Sequence, residues 1–289
     1  MKNEEIKKVV RERYARVAKQ SSPYGAFVDT DMQPGTCCNA TASPCCSASS
    51  AAQTISRAIG YSEEELGSVP DGANLGLGCG NPVALASLKK GETVLDLGSG
   101  AGFDCFLVAN KVGKKGKVIG VDMTAEMLEK SRENARKGDY KNVEFRLGEI
   151  ENLPVADGSV NAVISNCVIN LSTDKKRVFQ EGFRALKSGG RLMVSDIVLL
   201  KELPDFIKDS VTAYVGCVAG ASMKDDYLKA IKDAGFHKVK VLEETFFPID
   251  FIANDPAAMA IIKDSGLSMQ KVRDAVGSVL SVKVSGIKP

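Results

Sequence analysis

The chain has 289 residues, 44% apolar and 26% charged, the make-up of a folded globular protein long enough to bury a sizeable core. Its 38 basic and 36 acidic side chains leave a net charge of +2, which gives neither nucleic acid nor an anionic membrane surface a reason to bind. No apolar run nears the ~20 residues that cross a bilayer, and no charged-then-apolar leader opens the sequence. The expectation is a cytoplasmic protein whose eight cysteines are free thiols, not a disulfide framework.

Ile6, Val9, Val10, Tyr14 and Val17 fall on one helical stripe with Lys and Arg opposite, which predicts an amphipathic surface helix over 6–18 with a solvated basic face. From Ser21 to Ser50 the chain turns rich in Gly, Pro, Ser and Thr around "TCCNATASPCC", a loop signal. "ISRAIGYSEEEL" predicts one or two helices, "PDGANLGLGCGNP" an irregular loop, and "PVALASL" a helix ended by "KKG".

A regular alternation follows. The strands "ETVLDLGSG", "GKVIGVD", "NVEFRLG", "SVNAVISN" and "RLMVSDIVL" are separated by the helices "FDCFLVANKVG", "TAEMLEKSRENARKG" and "DKKRVFQEGFRALKSGG", the last ended by its glycines. A long excursion, 201–227, leads to the helix "DYLKAIKDAGF" and the strand "HKVKVLEE". Two helical stretches around Pro256 to Asp274 precede a closing strand, "SVLSVKVSGIK". The pattern predicts an α/β protein: a doubly wound, mostly parallel, seven-stranded sheet with helices on both faces and an N-terminal helical and loop appendage.

In "VLDLGSGAGFD" the first strand meets its helix through Gly98, Gly100 and Gly102, with Asp96 just before them. Glycines let the backbone turn tightly and let a ligand approach the helix N-terminus. The spacing is G-x-G-x-G, not the G-x-G-x-x-G of a dinucleotide site, and taken alone it is a weak signal. The second strand, however, ends in Asp122, about 20 residues on, where a carboxylate takes both hydroxyls of a ribose. Asp96 suits a cationic group better than a pyrophosphate. A ribose, an adenine and a cationic amino-acid tail together describe S-adenosylmethionine.

With these features the sequence resembles the class I S-adenosylmethionine-dependent methyltransferases from Leu85 onward. The resemblance implies that Asp122 binds the ribose and that Met123 and Asn166 join the cofactor contacts. It also implies that "GEIENLP" frames the adenine, Ile150 through its backbone and Glu151 or Glu149 through a carboxylate.

In the strand order of that family the switch point lies between strands one and four, and ligands bind beyond the carboxyl ends there. Cys167, in "SNCVINLS", ends strand four and is expected beside the transferable methyl group. A plain core reading of "CVINL" is weakened by Ser165, Asn166 and Asn170, which are poor core residues. Cys79 in "LGCGNP" and Cys217 in "YVGCVAG" stand in glycine-flanked loops able to reach the same mouth, whereas Cys105 in "FDCFLVA" reads as packing.

Three convergent thiolates are wrong for a hard cation, and for zinc they lack a fourth ligand. Trivalent arsenic fits: it takes three sulfurs and keeps a lone pair that can attack a sulfonium methyl directly. No base is then needed, and a chain whose only histidine is His237 makes sense. "NLGLGCGNP", "SNCVINLS", "GCVAGA" and "KVVRERYARVA" resemble the arsenite methyltransferases.

That resemblance implies arsenite, presented as thiol adducts, held by Cys79, Cys167 and Cys217, with glutathione or thioredoxin as reductant. It also implies a further N-terminal cysteine in a turnover disulfide, for which Cys37, Cys38, Cys45 and Cys46 are all candidates. These four also suit a mobile arsenic-capturing segment, while a zinc knuckle would space its pairs differently. The C-terminal extension of longer family members is not expected here.

The organisation expected is an N-terminal helix and Cys-rich segment (1–75), a cofactor-binding core (76–200), and an arsenic-site insertion with strands that complete the sheet (201–289). Two rival readings stay open: a methyltransferase acting on a carbon or oxygen of a small lipid or quinone, and a thiol-rich metalloid-binding protein without catalysis.

Overall fold

The computed structural model describes residues 3–19, 48–208, 213–214, 216–246 and 277–289. Cys37, Cys38, Cys45 and Cys46, and the two helical stretches expected around Pro256 to Asp274, lie outside them. Among the described residues no helix is long and apolar enough to cross a membrane.

Among the described residues four helices come first: α1 (Asn3–Lys19), α2 (Ala48–Ala58), α3 (Glu63–Gly67) and α4 (Pro82–Leu85). The alternation follows as β1 (Thr93–Leu97), α5 (Phe103–Val112), β2 (Lys117–Asp122), α6 (Ala125–Lys137), β3 (Val143–Leu147), β4 (Val160–Asn166), α7 (Lys175–Ala185) and β5 (Leu186–Leu199). Then come α8 (Asp205–Lys208), β6 (Ser222–Met223), α9 (Lys224–Asp233), β7 (His237–Phe246) and β8 (Val279–Ile287).

The sheet runs β3-β2-β1-β4-β5-β8-β7. Strands β3 through β5 in this order are parallel, and β8 pairs antiparallel with both β5 and β7. The central strands read as apolar runs because both of their faces are covered. Leu95 and Leu97 pack with Val178, Phe179, Tyr227 and Ile231 on one face. Val94, one residue away, packs with Phe106, Leu107 and Leu128 on the other.

Three local expectations change. Among the described residues the sheet has eight strands, not seven, because β6 pairs in parallel with Val198 and Leu199 of β5. Strand β4 has already ended there, its last pairing being Asn166 with Ser195. Helix α7 stops at Ala185, and the residues expected to end it belong to β5 instead. Leu186 pairs with Val160 and Arg191 with Ala162, so 187–190 form a bulge. Gly189 enters the left-handed region there at φ 75°, which glycine tolerates without strain. The helix expected over "PVALASL" shrinks to α4, because the Arg191 guanidinium takes the Ala86 and Ser87 carbonyls at 2.5 and 3.0 Å.

Candidate active site

The order β2-β1-β4 places a reversal of connection between β1 and β4, the point beyond whose carboxyl strand ends sheets of this kind take their ligands. Gly98 follows β1 at φ 70°, and a Cβ there would lie 2.4 Å from Val168 Cγ2. The loops after β1 and β4 therefore meet with no room for a side chain. Gly100, at φ 52°, has open space where its Cβ would be; its N–H donates to Asp122 Oδ2 at 2.9 Å. Thr124 N–H donates to Asp122 Oδ1 at 2.8 Å. Two backbone donors thus fix the Asp122 carboxylate at the rim of the cleft.

Burial pushes the Asp122 carboxyl up, and it does the same to two neighbours. Asp96 is driven well above the usual carboxylate range by burial and then by the charge of Asp104; its partner is the Cys105 thiol, which donates at 3.2 Å. Asp104 is pushed up to about 6, again chiefly by burial. Acids clustered in a covered cleft favour a cationic occupant. That charge, the open space at Gly100 and the oriented Asp122 fit the sulfonium, amino-acid tail and ribose of S-adenosylmethionine.

Asp104 belongs to a network invisible in the sequence. Tyr61 O–H donates to Asp104 Oδ1 at 2.6 Å. The Asn166 amide donates to the Tyr61 hydroxyl (2.9 Å), the Gly80 carbonyl (2.8 Å) and Asp104 Oδ2 (3.1 Å). Its Oδ1 accepts from Cys79 N–H at 3.1 Å. Asn166, expected among the cofactor contacts, thus ties the Cys79 loop to the end of β4 and the start of α5. A Cβ on Gly78 would lie 2.7 Å from Asn166 Nδ2, so glycine is what lets the loop come this close. Ser281 of β8 adds a second tether, donating to the Cys79 carbonyl at 2.6 Å.

The three cysteines singled out by position come together. Cys79, Cys167 and Cys217 belong to one packed group with Val10, Leu171, Ile197 and Leu203. The Cys217 thiol donates to the Cys167 carbonyl at 2.9 Å. Strand β6 explains why Cys217 arrives: it pairs with β5 beyond the end of β4, which holds the preceding loop over Cys167. Cys167 and Cys217 both sit at positive φ, 57° and 65°, a conformation costing a residue with a Cβ about 1–2 kcal/mol.

The flanking thiols of Cys217 and Cys79, with burial, hold the Cys167 thiol well above its ordinary range. Burial also raises Cys79, with the Cys167 contact partly opposing it. Cys105 is wholly buried and turned to Asp96, in keeping with a packing role.

Asp196 is the residue that sequence reading missed. Sulfur atoms of Cys79 and Cys167 and an Asp196 carboxylate oxygen all lie within 4.8 Å of one another. Asp196 is fully buried and accepts from Asn170 Nδ2 (2.8 Å), Ile197 N–H (2.9 Å) and Tyr227 O–H (3.1 Å). Burial pushes its carboxyl up to about 7.

Helix α1 lies across the same end of the sheet. Lys7 reaches Glu149 at 2.6 Å and Glu151 at 3.8 Å, in the loop after β3. Lys19 reaches Glu126 on α6 at 3.0 Å. Between these ends Tyr14 packs against the cysteine group, and its phenol is pushed well up by burial and by the Cys217 and Cys167 thiols. The Glu151 carboxylate is further occupied by the Ser172 hydroxyl at 2.7 Å, while Ile150 is buried at the floor of that loop.

A family model described as a methyltransferase domain matches residues 88–235, just over half of the chain. The chain belongs to the methyltransferase-domain family. Within it, the chain is 50% identical over 254 residues to an arsenite methyltransferase of Halobacterium salinarum, covering 87% of this chain and 63% of that protein. It spans between 44% and 63% of the first three curated arsenite methyltransferases it matches.

A crystal structure of an arsenic(III) S-adenosylmethionine methyltransferase from Chlamydomonas reinhardtii superposes with a TM-score of 0.60 at 32% identity, over 81% of this chain and 73% of that one. A demethylmenaquinone methyltransferase of Lactococcus lactis is 31% identical over 168 residues, 56% of this chain and 67% of that protein. S-adenosylmethionine is the methyl donor for which that Chlamydomonas reinhardtii protein is named.

Proposed function

We propose that the chain transfers a methyl group from S-adenosylmethionine to trivalent arsenic held by Cys79, Cys167 and Cys217. The observation that carries this reading is the meeting of three thiols, from positions 79, 167 and 217, at the carboxyl end of β4, beside the cleft that Asp122 and Gly100 line. Neighbouring methyltransferases named for quinone substrates share the fold, but an apolar acceptor gives no role to three thiols at this place.

The chemistry balances without a base. Arsenite arrives as a thiol adduct, As(SR)3, and each protein thiol displaces one carrier. The proton of each cysteine leaves on the departing carrier thiol, so the raised thiols need no separate proton acceptor. S-adenosylmethionine supplies a sulfonium methyl. The arsenic lone pair forms the As–C bond as the S–CH3 bond breaks, and the sulfonium charge disappears from the cofactor. Holding the acceptor in line with that methyl is worth up to about 7–11 kcal/mol.

Arsenic is oxidised in the step, so a thiol reductant such as glutathione or thioredoxin restores the trivalent state. Asp122 takes the ribose hydroxyls, Ile150 and Glu151 border the adenine, and the acidic cleft around Asp96 and Asp104 receives the amino-acid tail. Asn166 acts by placing Cys79. The cysteines at 37, 38, 45 and 46 serve in capture or in the turnover disulfide.

The test is direct. Incubated with arsenite, glutathione and S-adenosylmethionine, the wild-type chain yields methylated arsenic, and Cys167→Ser yields none while still binding S-adenosylmethionine. Normal turnover by that variant, or methylation of a quinone in place of arsenic, overturns the reading.

A further inference from the structure

The sequence supplies three sulfurs and no obvious fourth ligand, but the fold adds one. Asp196 sits inside the apolar run "LMVSDIVL", where a carboxylate is costly unless it is partnered. An oxygen of Asp196 lies within 4.8 Å of the Cys79 and Cys167 sulfurs. A carboxylate offers about four acceptor sites, and Asn170, Ile197 and Tyr227 take three of them. These donors, joined by the Ile169 backbone, fix the orientation of the group beside the two sulfurs, and a bond to a metal takes the place of one of them.

Resting on the reading of Cys79, Cys167 and Cys217 as a ligand set, we propose that these thiolates and Asp196 form a four-ligand site for a thiophilic divalent cation of the zinc and cadmium class, which thereby competes with arsenic.

The two kinds of occupant ask for different ligand numbers. Trivalent arsenic is pyramidal and is satisfied by three sulfurs, its fourth direction being the lone pair. Zinc takes four ligands in a tetrahedron, with sulfur at ~2.3 Å and carboxylate oxygen at ~2.0–2.2 Å, so ligand atoms stand about 3.7 Å apart. The separations of at most 4.8 Å among Cys79, Cys167 and Asp196 close to that spacing with an inward movement of about 1 Å or less, and the Cys217 thiol, now on the Cys167 carbonyl, turns from it to complete the four.

Three thiolates and a carboxylate around a divalent ion carry the same formal charge as the four thiolates of a structural zinc site. Nothing in this set excludes a divalent ion from the arsenic position, and Asp196 gives that ion a ligand arsenic does not use.

The experiment uses the full chain with Cys37, Cys38, Cys45 and Cys46 changed to Ser, so that only the buried group titrates. Cadmium ion is added under a non-thiol reductant, and its thiolate charge-transfer absorption is followed. The expected result is one cadmium per chain, displaced one for one by arsenite. Asp196→Asn weakens cadmium at least about tenfold and arsenite far less.

Equal weakening of both ions, or no effect of Asp196→Asn on cadmium, overturns the proposal. A chain that binds arsenite but no cadmium also overturns it, while leaving the arsenic reading standing. A chain that binds neither ion removes both. Should Asp196→Asn fail to fold, a crystal structure of the cadmium-loaded chain decides: metal bonded to an Asp196 oxygen supports the site, and water in that position overturns it.

Discussion

Replacing Asn166 with Ala tests how the fold sets the cysteine trio. The amide has two N–H bonds for the three acceptors it faces, Tyr61, Gly80 and Asp104, so one hydrogen is shared. With the bond it accepts from Cys79 N–H, three full hydrogen bonds disappear. At a net ~0.5–1.5 kcal/mol each, the loss is about 1.5–4.5 kcal/mol. A domain stable by ~5–15 kcal/mol survives it folded. Urea unfolding measures the loss.

Arsenite absorption in the same variant reads the second consequence. Cys79 loses its tie to β4 and α5, so the site changes from three thiolates to the Cys167–Cys217 pair and binds more weakly. Unchanged arsenite affinity together with a stability loss under about 0.5 kcal/mol refutes the reasoning, because Asn166 would then neither hold the loop nor matter to the fold.

Three further outcomes follow from the same geometry. Asp104, held up to about 6 in the fold by burial, is protonated in both states below pH ~4. As pH rises the unfolded chain releases its proton first, so stability falls by roughly 3 kcal/mol between pH ~4 and ~6; Asp104→Asn shows a correspondingly flatter profile in denaturant titrations over that window. Asp122→Ala removes the carboxylate oriented by Gly100 and Thr124, and S-adenosylmethionine binding measured by calorimetry weakens by about 3 kcal/mol, roughly a hundredfold. His237→Ala leaves turnover unchanged, because the residue is exposed at the start of β7, the edge strand farthest from β3; a collapse in rate without unfolding points to proton-transfer chemistry.

The strands were legible because doubly buried parallel strands are short apolar runs, as "TVLDL" and "KVIGVD" are. Cys167 was legible from the rule that ligands sit beyond strand ends, and Cys79 and Cys217 from their glycine neighbours. What escaped depends on contacts between distant segments. Tyr61 and Asp104 are 43 positions apart and Asn166 is 62 beyond Asp104, so no local pattern announces their network.

Asp196 looked like one polar residue in a core strand. The signal was there, since a fully buried acid requires partners, but Tyr227 and Asn170 as those partners became visible only in the fold. Strand β6 escaped for a related reason: two residues carry no periodicity, and Ser222 and Met223 become a strand only because β5 outlasts β4. The bulge at 187–190 hid the start of β5, its glycines reading as a helix stop.

The central claim is that three sulfurs from distant positions bond one arsenic atom. Arsenic K-edge X-ray absorption on the arsenite-loaded chain, with Cys37, Cys38, Cys45 and Cys46 changed to Ser, measures that directly. The account predicts a shell of three sulfurs that loses one when any of Cys79, Cys167 or Cys217 becomes Ser. A shell of two sulfurs with oxygen in the unaltered trio, or one indifferent to those substitutions, contradicts it.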